Sequence, residues 1–265
     1  YFYWLSSCYE SDSCIPGSGL TLWVMPRDGS KEPTEKASGF NFEVVDHDIP
    51  LLMGPDEFYW IENSSSDTTT SFTIWGFDKD PSVAFSPSDP PRQNELEVIS
   101  DANGNVSLIG VDESHVYYET GSPWIRSLPL DGGDEETILD CCGYNGSLSG
   151  DDIFYIVDNP GGSDLVARIP KAGGRETRLE AIEAPMPPQR PLAGSTHAYV
   201  VVASSGFRTW KMHAYPIDPG PGTPVFSWPA ENGMAGDSSF APVWTVASGS
   251  AWVYTENSIF RIAPK

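Results

Sequence analysis

The sequence predicts an all-β fold, a six-bladed β-propeller made of four-stranded antiparallel blades. Two motifs recur six times in the same order, an aromatic strand and then a strand that ends in a turn rich in Pro or Gly. The turn returns every 41 to 52 residues, close to the length of one four-stranded blade. The periodicity of an amphipathic helix is absent, because Pro and Gly interrupt the chain too often.

The stretch Val111–Asp134 shows the repeat most clearly. Apolar residues alternate up to Tyr118, a turn follows at Gly121, and a second strand runs over Trp124–Pro129 before the tight turn Asp131-Gly132-Gly133. This pattern is typical of antiparallel strands joined by short turns.

Six aromatic strands precede six anchor turns. The aromatic strands are Phe2–Trp4, Phe58–Trp60, Val116–Tyr118, Phe154–Ile156, Tyr199–Val201 and Trp252–Tyr254. The anchor residues that follow them are Pro26, Asp78, Pro129, Pro170, Pro216 and Pro264. Because the two motifs stay in register, we predict one domain, 1–265, with repeats at approximately 1–45, 46–98, 99–140, 141–184, 185–232 and 233–265.

Each complete repeat is predicted to add a short strand before the aromatic strand and a fourth strand after the anchor, for example Glu136–Leu139. The first repeat lacks the former and the sixth ends before the latter. Two unpaired strand edges are therefore expected at the seam between repeats six and one. Either a longer polypeptide completes this seam, or it is open and receives a strand from a partner or from another copy of the chain.

At these residues the chain resembles the six-bladed propellers of the TolB-like and related domain-of-unknown-function families. Their repeats read roughly Asp-x-x-x-Val-Tyr-Trp and then Ile-x-Arg-x-Pro-x-Asp-Gly-Gly. Asp112–Tyr118 with Ile125–Gly133 matches best, and Asp151–Tyr155 with Ala167–Gly174 comes next. The resemblance implies a fold that hosts lyases, lactonases, peptidase caps and plain binding modules, so it leaves the activity open.

The composition is strongly acidic. With 37 Asp and Glu against 15 Lys and Arg, the formal net charge is −22, which repels nucleic-acid phosphates and anionic lipid headgroups. No apolar run approaches the roughly 18 residues of a membrane helix. We therefore predict no nucleic-acid partner and no membrane insertion. Solubility explains the acidity, and cation binding is the alternative.

The cysteines form two local pairs, Cys8 with Cys14 and Cys141 with Cys142. Pairs this close favour disulfides, and hence an extracellular, cell-surface or periplasmic location. Four reduced thiols are the alternative, and the long-range connectivities stay open. The chain begins at Tyr1 without a leader, so we expect either a removed signal peptide or a start inside a longer polypeptide.

The blade geometry separates two faces of the predicted propeller. Turns between strands one and two and between strands three and four are short, whereas the loops on the opposite face are long and irregular. Because a rigid scaffold usually presents function on its loops, we place the ligand site on the irregular face, at the mouth of the central channel. The candidate ligand-binding residues are His47, Cys141, Cys142, Tyr144, Asn145, Arg190 and Trp244.

Adjacent cysteines can close only a strained eight-membered ring, and such strain tends to be kept at functional sites. A Cys141–Cys142 ring would be a rigid apolar platform suited to stacking on a sugar or another planar ligand. Two plain thiols at the end of a strand are the alternative. Cys8–Cys14 would staple a long loop.

Hard oxygen ligands occur in two loops between repeats. Candidate calcium ligands are Asp46, Asp48, Asp101, Asn103 and Asn105. Ordinary solvated turns are the alternative, because the closing bidentate Glu of an EF-hand loop is missing. His47, between two Asp residues, has the surroundings of a general base or a metal ligand.

The sequence supports three functions. The leading hypothesis is a secreted or cell-surface binding or scaffold module that recognises a carbohydrate or a protein. The second is a calcium-assisted hydrolase or lyase acting at the channel mouth, although no catalytic residue can be assigned because no nucleophile motif is present. The third is a structural subunit of an extracellular assembly, completed by strand donation.

Overall fold

The structure is a computed structural model that describes residues 1–7, 20–40, 52–65, 70–80, 94–100, 106–120, 124–159, 163–182, 188–203, 209–217, 223–229, 243–247, 250–255 and 258–262. Within these ranges every regular element is a β-strand, so the predicted all-β class is confirmed. The same ranges hold no helix with the length and apolar character needed to cross a bilayer.

The described residues divide into two compact units. The strands of the first unit are β1 Phe2–Ser7, β2 Leu20–Met25, β3 Thr34–Phe40, β4 Leu52–Met53, β5 Glu57–Ser65, β6 Thr70–Asp78 and β7 Asn94–Ser100. They form a three-stranded sheet in the order β1-β2-β3 and a four-stranded sheet in the order β4-β5-β6-β7. In the second sheet Trp60 and Trp75 lie opposite each other, with stacked rings 6.3 Å apart.

The second unit contains four antiparallel sheets among its described residues. Sheet A has β8 Ser107–Val111, β9 His115–Thr120, β10 Trp124–Pro129 and β11 Glu136–Leu139, and sheet B has β12 Gly143–Ser149, β13 Asp152–Val157, β14 Asp164–Pro170 and β15 Thr177–Ile182. Sheet C has β16 Leu192–Ala193, β17 His197–Ala203, β18 Thr209–Pro216 and β19 Thr223–Pro229, and sheet D has β20 Val243–Ala247, β21 Ser250–Thr255 and β22 Ser258–Ile262. In each sheet the strands follow one another in chain order.

Apolar layers lie between successive sheets of the second unit. Ile153 and Tyr155 of β13 pack in a cluster with side chains of sheet A, whereas Ile156 of the same strand packs with side chains of sheet C. A third cluster joins sheets C and D around Tyr199 and Val253. Because sheet B is covered on both faces, β13 reads as a continuous apolar run instead of an alternating one.

The first strands of the four sheets lie side by side in the order β8, β12, β16 and β20. Each of these strands is an edge of its sheet, so successive sheets meet along their first strands and pack face to face beyond them. Successive propeller blades pack in this way. The aromatic strands predicted from the sequence are β9, β13, β17 and β21, the second strands of these sheets.

One strand boundary, the start of β12, differs from the prediction. The sequence predicts an irregular loop over Cys141–Asn145 and a strand from Leu148, but β12 already begins at Gly143. Its register against β13 shifts between Tyr144 and Ser147, so the irregularity is a bulge inside a strand. A bulge has no sequence signature as clear as that of a turn, which is why the pattern suggested a loop.

A buried tyrosine binds a glutamate in the same way in sheets A and B. Tyr118 donates its hydroxyl hydrogen to Glu135, to which Arg126 also donates. Tyr155 donates to Glu176 Oε2 at 2.6 Å, and Arg178 Nε donates to Glu176 Oε1 at 2.6 Å. In both sheets the glutamate lies just before the fourth strand, so the contact ties that strand to the second one.

Glu176 gives a pH-dependent contribution to stability. Burial opposes its ionisation, but hydrogen bonds from Arg178 and Tyr155 outweigh burial and lower the pKa of Glu176 below 4.5. Since the folded-state pKa is the lower one, the contribution is present above pH 4.5 and is lost as the pH falls below it. Glu176→Gln is therefore expected to cost less than about 1 kcal/mol at neutral pH, and progressively less in acid.

Urea unfolding at a series of pH values measures this difference. Glu113→Gln, in an exposed turn of sheet A, is the matched control and should differ little from the wild type throughout. An equal difference between wild type and Glu176→Gln at neutral and acid pH would contradict the assignment.

Candidate functional site

The candidate site lies at the start of β12, the first strand of sheet B. We call it the β12 rim and define it as residues Cys141–Asn145 together with Asp158. Asp158 follows β13, and its backbone N–H donates to the Cys142 carbonyl at 2.9 Å. Because β12 and β13 are antiparallel, the start of one and the end of the other meet at the same end of the sheet. This is the end where the sequence predicts the irregular loops.

Two residues of the rim have a left-handed backbone. Cys142 has φ of 64° and Asn145 has φ of 54°, and they are the two residues other than glycine with positive φ among those the structure describes. Asn tolerates this conformation, whereas Cys rarely adopts it. Conformations of this kind persist only where the surroundings impose them, and they cluster at functional sites.

Sheet A holds the rim from one side. In the β12 bulge, the Gly146 N–H donates to Glu119 Oε2 at 3.0 Å, while Ser107 Oγ donates to Glu119 Oε1 at 2.9 Å. Gly146 has no room for a side chain, since a Cβ there would lie 2.7 Å from Ile109 Cδ1. Glu119 therefore joins the two sheets through both of its carboxylate oxygens.

The segment around β16 holds the rim from the other side. Asn145 Nδ2 donates to the Pro188 carbonyl at 3.1 Å, and Ser147 Oγ donates to the Pro191 carbonyl. Farther along β12, Ser149 Oγ donates to the Ala193 carbonyl at 3.0 Å. These bonds fix the position of Asn145, whose left-handed backbone alone would not orient its amide.

Arg190 links sheet A to the segment before β16. Its side chain is buried, with 8% exposed, and Nη1 donates to the Leu108 carbonyl at 2.9 Å. Leu108 adjoins Ser107, so this guanidinium lies in the same group of strands as the Glu119 carboxylate. A buried guanidinium with such bonds positions the strands that carry the rim.

The ring of Tyr144 packs at the rim against the apolar cluster between sheets B and C. It is half-buried, and its hydroxyl donates to Asp164 Oδ2 at 2.8 Å. Burial, together with the Asp164 carboxylate, raises the pKa of Tyr144 well above its usual range. The phenol is therefore neutral near pH 7, and the ring is held at both ends by the strand and by this bond.

Cys141 and Cys142 are exposed free thiols in the structure, so the predicted eight-membered ring is not formed in it. A hydrogen bond between the two thiols, with burial and the charge of Asp140 and Glu176 adding to it, raises the pKa of Cys141. The pair is exposed at the outer edge of the rim.

Trp124 is an exposed aromatic residue at the same end of sheet A. It begins β10 opposite Thr120, with 39% of its surface exposed, and the Arg126 guanidinium lies 4.9 Å from its ring centroid. The sequence suggests packing for most tryptophans, and Trp60 and Trp210 are indeed buried. Trp124 differs from them in standing at the first position of its strand, at the end of the sheet.

The structure brings together Cys141, Cys142, Tyr144 and Asn145 among the predicted ligand-binding residues, and Asn145 contacts the segment that carries Arg190. Trp244 lies in β20, but its side chain is outside the description. The other candidates lie outside the described residues: His47, Asp46, Asp48, Asp101, Asn103, Asn105, Cys8 and Cys14. In the described ranges no group of three or more His, Cys, Asp or Glu side chains is placed to hold a metal ion.

Sequence reasoning missed Glu119, Ser107 and Asp158. Glu119 had a usable signal, because it is a carboxylate directly after the buried run Val116–Tyr118. Ser107 and Asp158 had none, since isolated polar residues at strand ends are ordinary.

No protein-family model matches the chain, and no curated protein matches it. Among solved structures, it is similar to prolyl oligopeptidase B from Galerina marginata bound to a 25mer macrocyclization substrate, with 11% identity, a TM-score of 0.51, and coverage of 95% of this chain and 36% of that one. The apo form of that protein gives 11% identity, a TM-score of 0.46, and coverage of 89% and 36%. A structure from a study of two prolyl endopeptidases gives 8% identity, a TM-score of 0.47, and coverage of 92% and 38%.

The first of these similarities shows the fold alone. Prolyl oligopeptidase contains a β-propeller domain, and the chain spans little more than a third of the length of these structures. The chain is thus an all-β protein of antiparallel, mostly four-stranded sheets with propeller-like structural neighbours. Its resemblance to the TolB-like families stays a prediction.

Proposed function

We propose that the chain is a six-bladed β-propeller, secreted or at the cell surface, that binds a carbohydrate or a protein segment through the β12 rim. Six sheets among the described residues, one for each predicted repeat, support the number of blades. Closure of the six sheets into one domain is part of the proposal.

The observation that carries the binding function is the imposed backbone at Cys142 and Asn145. Asp158 bonds to the Cys142 carbonyl, Pro188 accepts from the Asn145 amide, and Glu119 accepts from Gly146, the residue after Asn145. Sheets A and B and the segment before β16 thus together maintain a costly conformation. The result is a preorganised surface, and preorganisation lowers the entropic cost of binding.

The rim chemistry selects the kind of ligand. Tyr144 offers the part of its ring that the core leaves exposed, and Asn145 and the exposed Asp158 offer polar groups in the same rim. Sugars and extended peptides both combine hydrogen-bonding groups with flat or apolar surfaces. Because the chain carries a net charge of −22, a neutral or basic ligand is favoured over an anionic one.

Binding of the wild type to a polysaccharide array and to a peptide array tests the proposal and separates the two ligand classes. Asn145→Ala removes the amide and its bond to Pro188, and we expect at least a tenfold loss of affinity for whichever ligand is found, about 1.4 kcal/mol. Asp131→Asn, in the exposed turn after β10 at the other end of the strands, is the control and should bind like the wild type. Equal loss in both variants, or no binding on either array, would contradict the function.

A calcium-assisted hydrolase or lyase is the second proposal. The structural neighbour named prolyl oligopeptidase B favours it, and Asp46, Asp48, Asp101, Asn103 and Asn105 would be the calcium ligands. Calcium added after treatment with EDTA is expected to raise the Tm. An unchanged Tm would count against this function.

Strand donation in an extracellular assembly is the third proposal, and sheet D favours it. Its outer strand β22 exposes 65% of Ile259 and 39% of Phe260, and it is an edge among the described strands. Exposed apolar edges accept further strands. Sedimentation should then show oligomers that grow with concentration, whereas a monomer at all concentrations would exclude self-assembly.

A further inference from the structure

The thiol pair Cys141 and Cys142 is the feature of the β12 rim that the proposed binding function does not use. Both thiols are exposed and free, and the two residues are adjacent in the chain. Two cysteines adjacent in the chain can be oxidised to an eight-membered ring without any movement of distant segments. The surroundings of the pair determine whether it is a permanent disulfide, a permanent dithiol or a pair that exchanges between these two states.

The backbone around the pair is firmly held. The Cys142 carbonyl accepts the Asp158 N–H at 2.9 Å, and Gly143 pairs with Val157 in the first position of the β12 ladder. A Cβ on Gly143 would lie 2.7 Å from Tyr155 Cδ2 and 2.8 Å from Leu139 Cδ2, so the chain after the pair is pressed onto the core. Ring closure therefore has to be absorbed by the cysteines themselves.

This restraint makes a permanent bond unfavourable. A disulfide between neighbours is strained, and strain makes a disulfide easier to reduce. Exposure supplies the other requirement, because exchange with a small disulfide needs direct access to a sulfur atom. The strain of the ring, the restrained backbone and the exposure of the sulfur atoms together favour a disulfide that forms and is reduced again.

We propose that Cys141 and Cys142 form a reversible two-electron thiol–disulfide couple. The thiolate of one cysteine attacks a sulfur atom of a small disulfide such as oxidised glutathione, which releases one glutathione thiol and leaves a mixed disulfide. The second cysteine then displaces the second glutathione as its thiolate attacks the protein sulfur of that mixed disulfide. The bond between the two Sγ atoms forms, the bond of the oxidant breaks, and two protons pass to the released thiols.

The couple regulates the rim, and this part rests on the proposed binding function. Oxidation replaces two polar thiols with a rigid apolar ring, three residues before Asn145 and two before Tyr144. The two states therefore present different surfaces to the same ligand. A difference in affinity of at least about fivefold is expected, typical of coupled sites.

Mass spectrometry of the full chain tests the couple. The protein is equilibrated in glutathione buffers from fully reduced to fully oxidised, alkylated, digested and mapped. We expect the peptide with Cys141 and Cys142 to change from two alkyl groups to none, with a loss of two hydrogens, and to return on reduction. A peptide that stays doubly alkylated in every buffer, or that is joined to Cys8 or Cys14, would overturn the proposal.

Cys142→Ser is the matched variant. It keeps a small polar side chain but cannot close the ring, so Cys141 is expected to accumulate as the mixed disulfide with glutathione. Absence of that adduct on Cys141, together with absence of the corresponding adduct on Cys142 in Cys141→Ser, would contradict the exchange mechanism, because neither thiol would then react with the oxidant.

Affinity measured on the oxidised and the reduced protein separates the two proposals. A change of at least about fivefold supports the coupling, and equal affinity overturns it. If neither state binds any ligand, the binding function fails, while the mass measurement still decides the couple.

Discussion

Replacing Gly110 with alanine is expected to destabilise the protein by about 3 kcal/mol, at the upper end of the usual cost of overpacking. Gly110 lies in β8, where a Cβ would be 2.3 Å from the Cβ of Leu148 in β12. A Cβ atom cannot rotate away, so the two strands have to separate. Because β8 and β12 also carry the bonds of Glu119, the β12 rim should be displaced as well. Chemical denaturation of the purified variant measures the loss.

A double-mutant cycle shows whether this contact is the cause. Leu148→Gly removes the opposing Cβ, so Gly110→Ala should cost much less in that background than in the wild type. Leu148→Ala keeps the Cβ and should give no such relief. An equal cost of Gly110→Ala in all three backgrounds would show that another contact is responsible.

Replacing Tyr155 with alanine is expected to cost about 4 kcal/mol, the usual range for a large aromatic residue in a core. Tyr155 is fully buried between sheets A and B, and its ring lies directly under Gly143 of the rim. The cavity would therefore open beneath Gly143, the residue that follows Cys142. We expect faster alkylation of the thiols in addition to the loss of stability, measured by urea unfolding and by the rate of thiol labelling.

Tyr155→Phe separates packing from hydrogen bonding. It keeps the ring but removes the bond to Glu176, so the expected cost is about 1 kcal/mol. The same change in a Glu176→Gln background should cost less. If Tyr155→Phe lowered the stability as much as Tyr155→Ala, the hydroxyl would account for most of the contribution of Tyr155. That result would contradict the assignment of its main role to packing of the ring.

The all-β class and the strand order could be predicted because the same turn and strand signals recur in each of the six repeats. A tight turn after Pro129 or Pro170 and an aromatic strand before it are local signals, and local signals act before any tertiary contact forms. Sheets A, B and C accordingly show the predicted four strands in chain order. The boundary of β12 was wrong because a bulge depends on what the strand packs against.

The candidate site could be predicted only in part. Cys141 and Asn145 stand out in the sequence because adjacent cysteines and an irregular stretch are rare between regular repeats. Glu119 and Arg190 are distant in the chain and meet β12 or β8 only through the packing of sheets. The carboxylate could not be assigned to the rim without that packing.

The sequence by itself determined the all-β class and the order of strands, since turn chemistry and strand periodicity are properties of short segments. Tertiary structure alone decided that Cys142 and Asn145 adopt a left-handed backbone and that the two thiols stand free at the edge of the rim. The physical reason is that no short segment prefers those conformations. They are held by the bonds that Cys142 makes with Asp158 and Asn145 makes with Pro188, and by the bond from the next residue, Gly146, to Glu119.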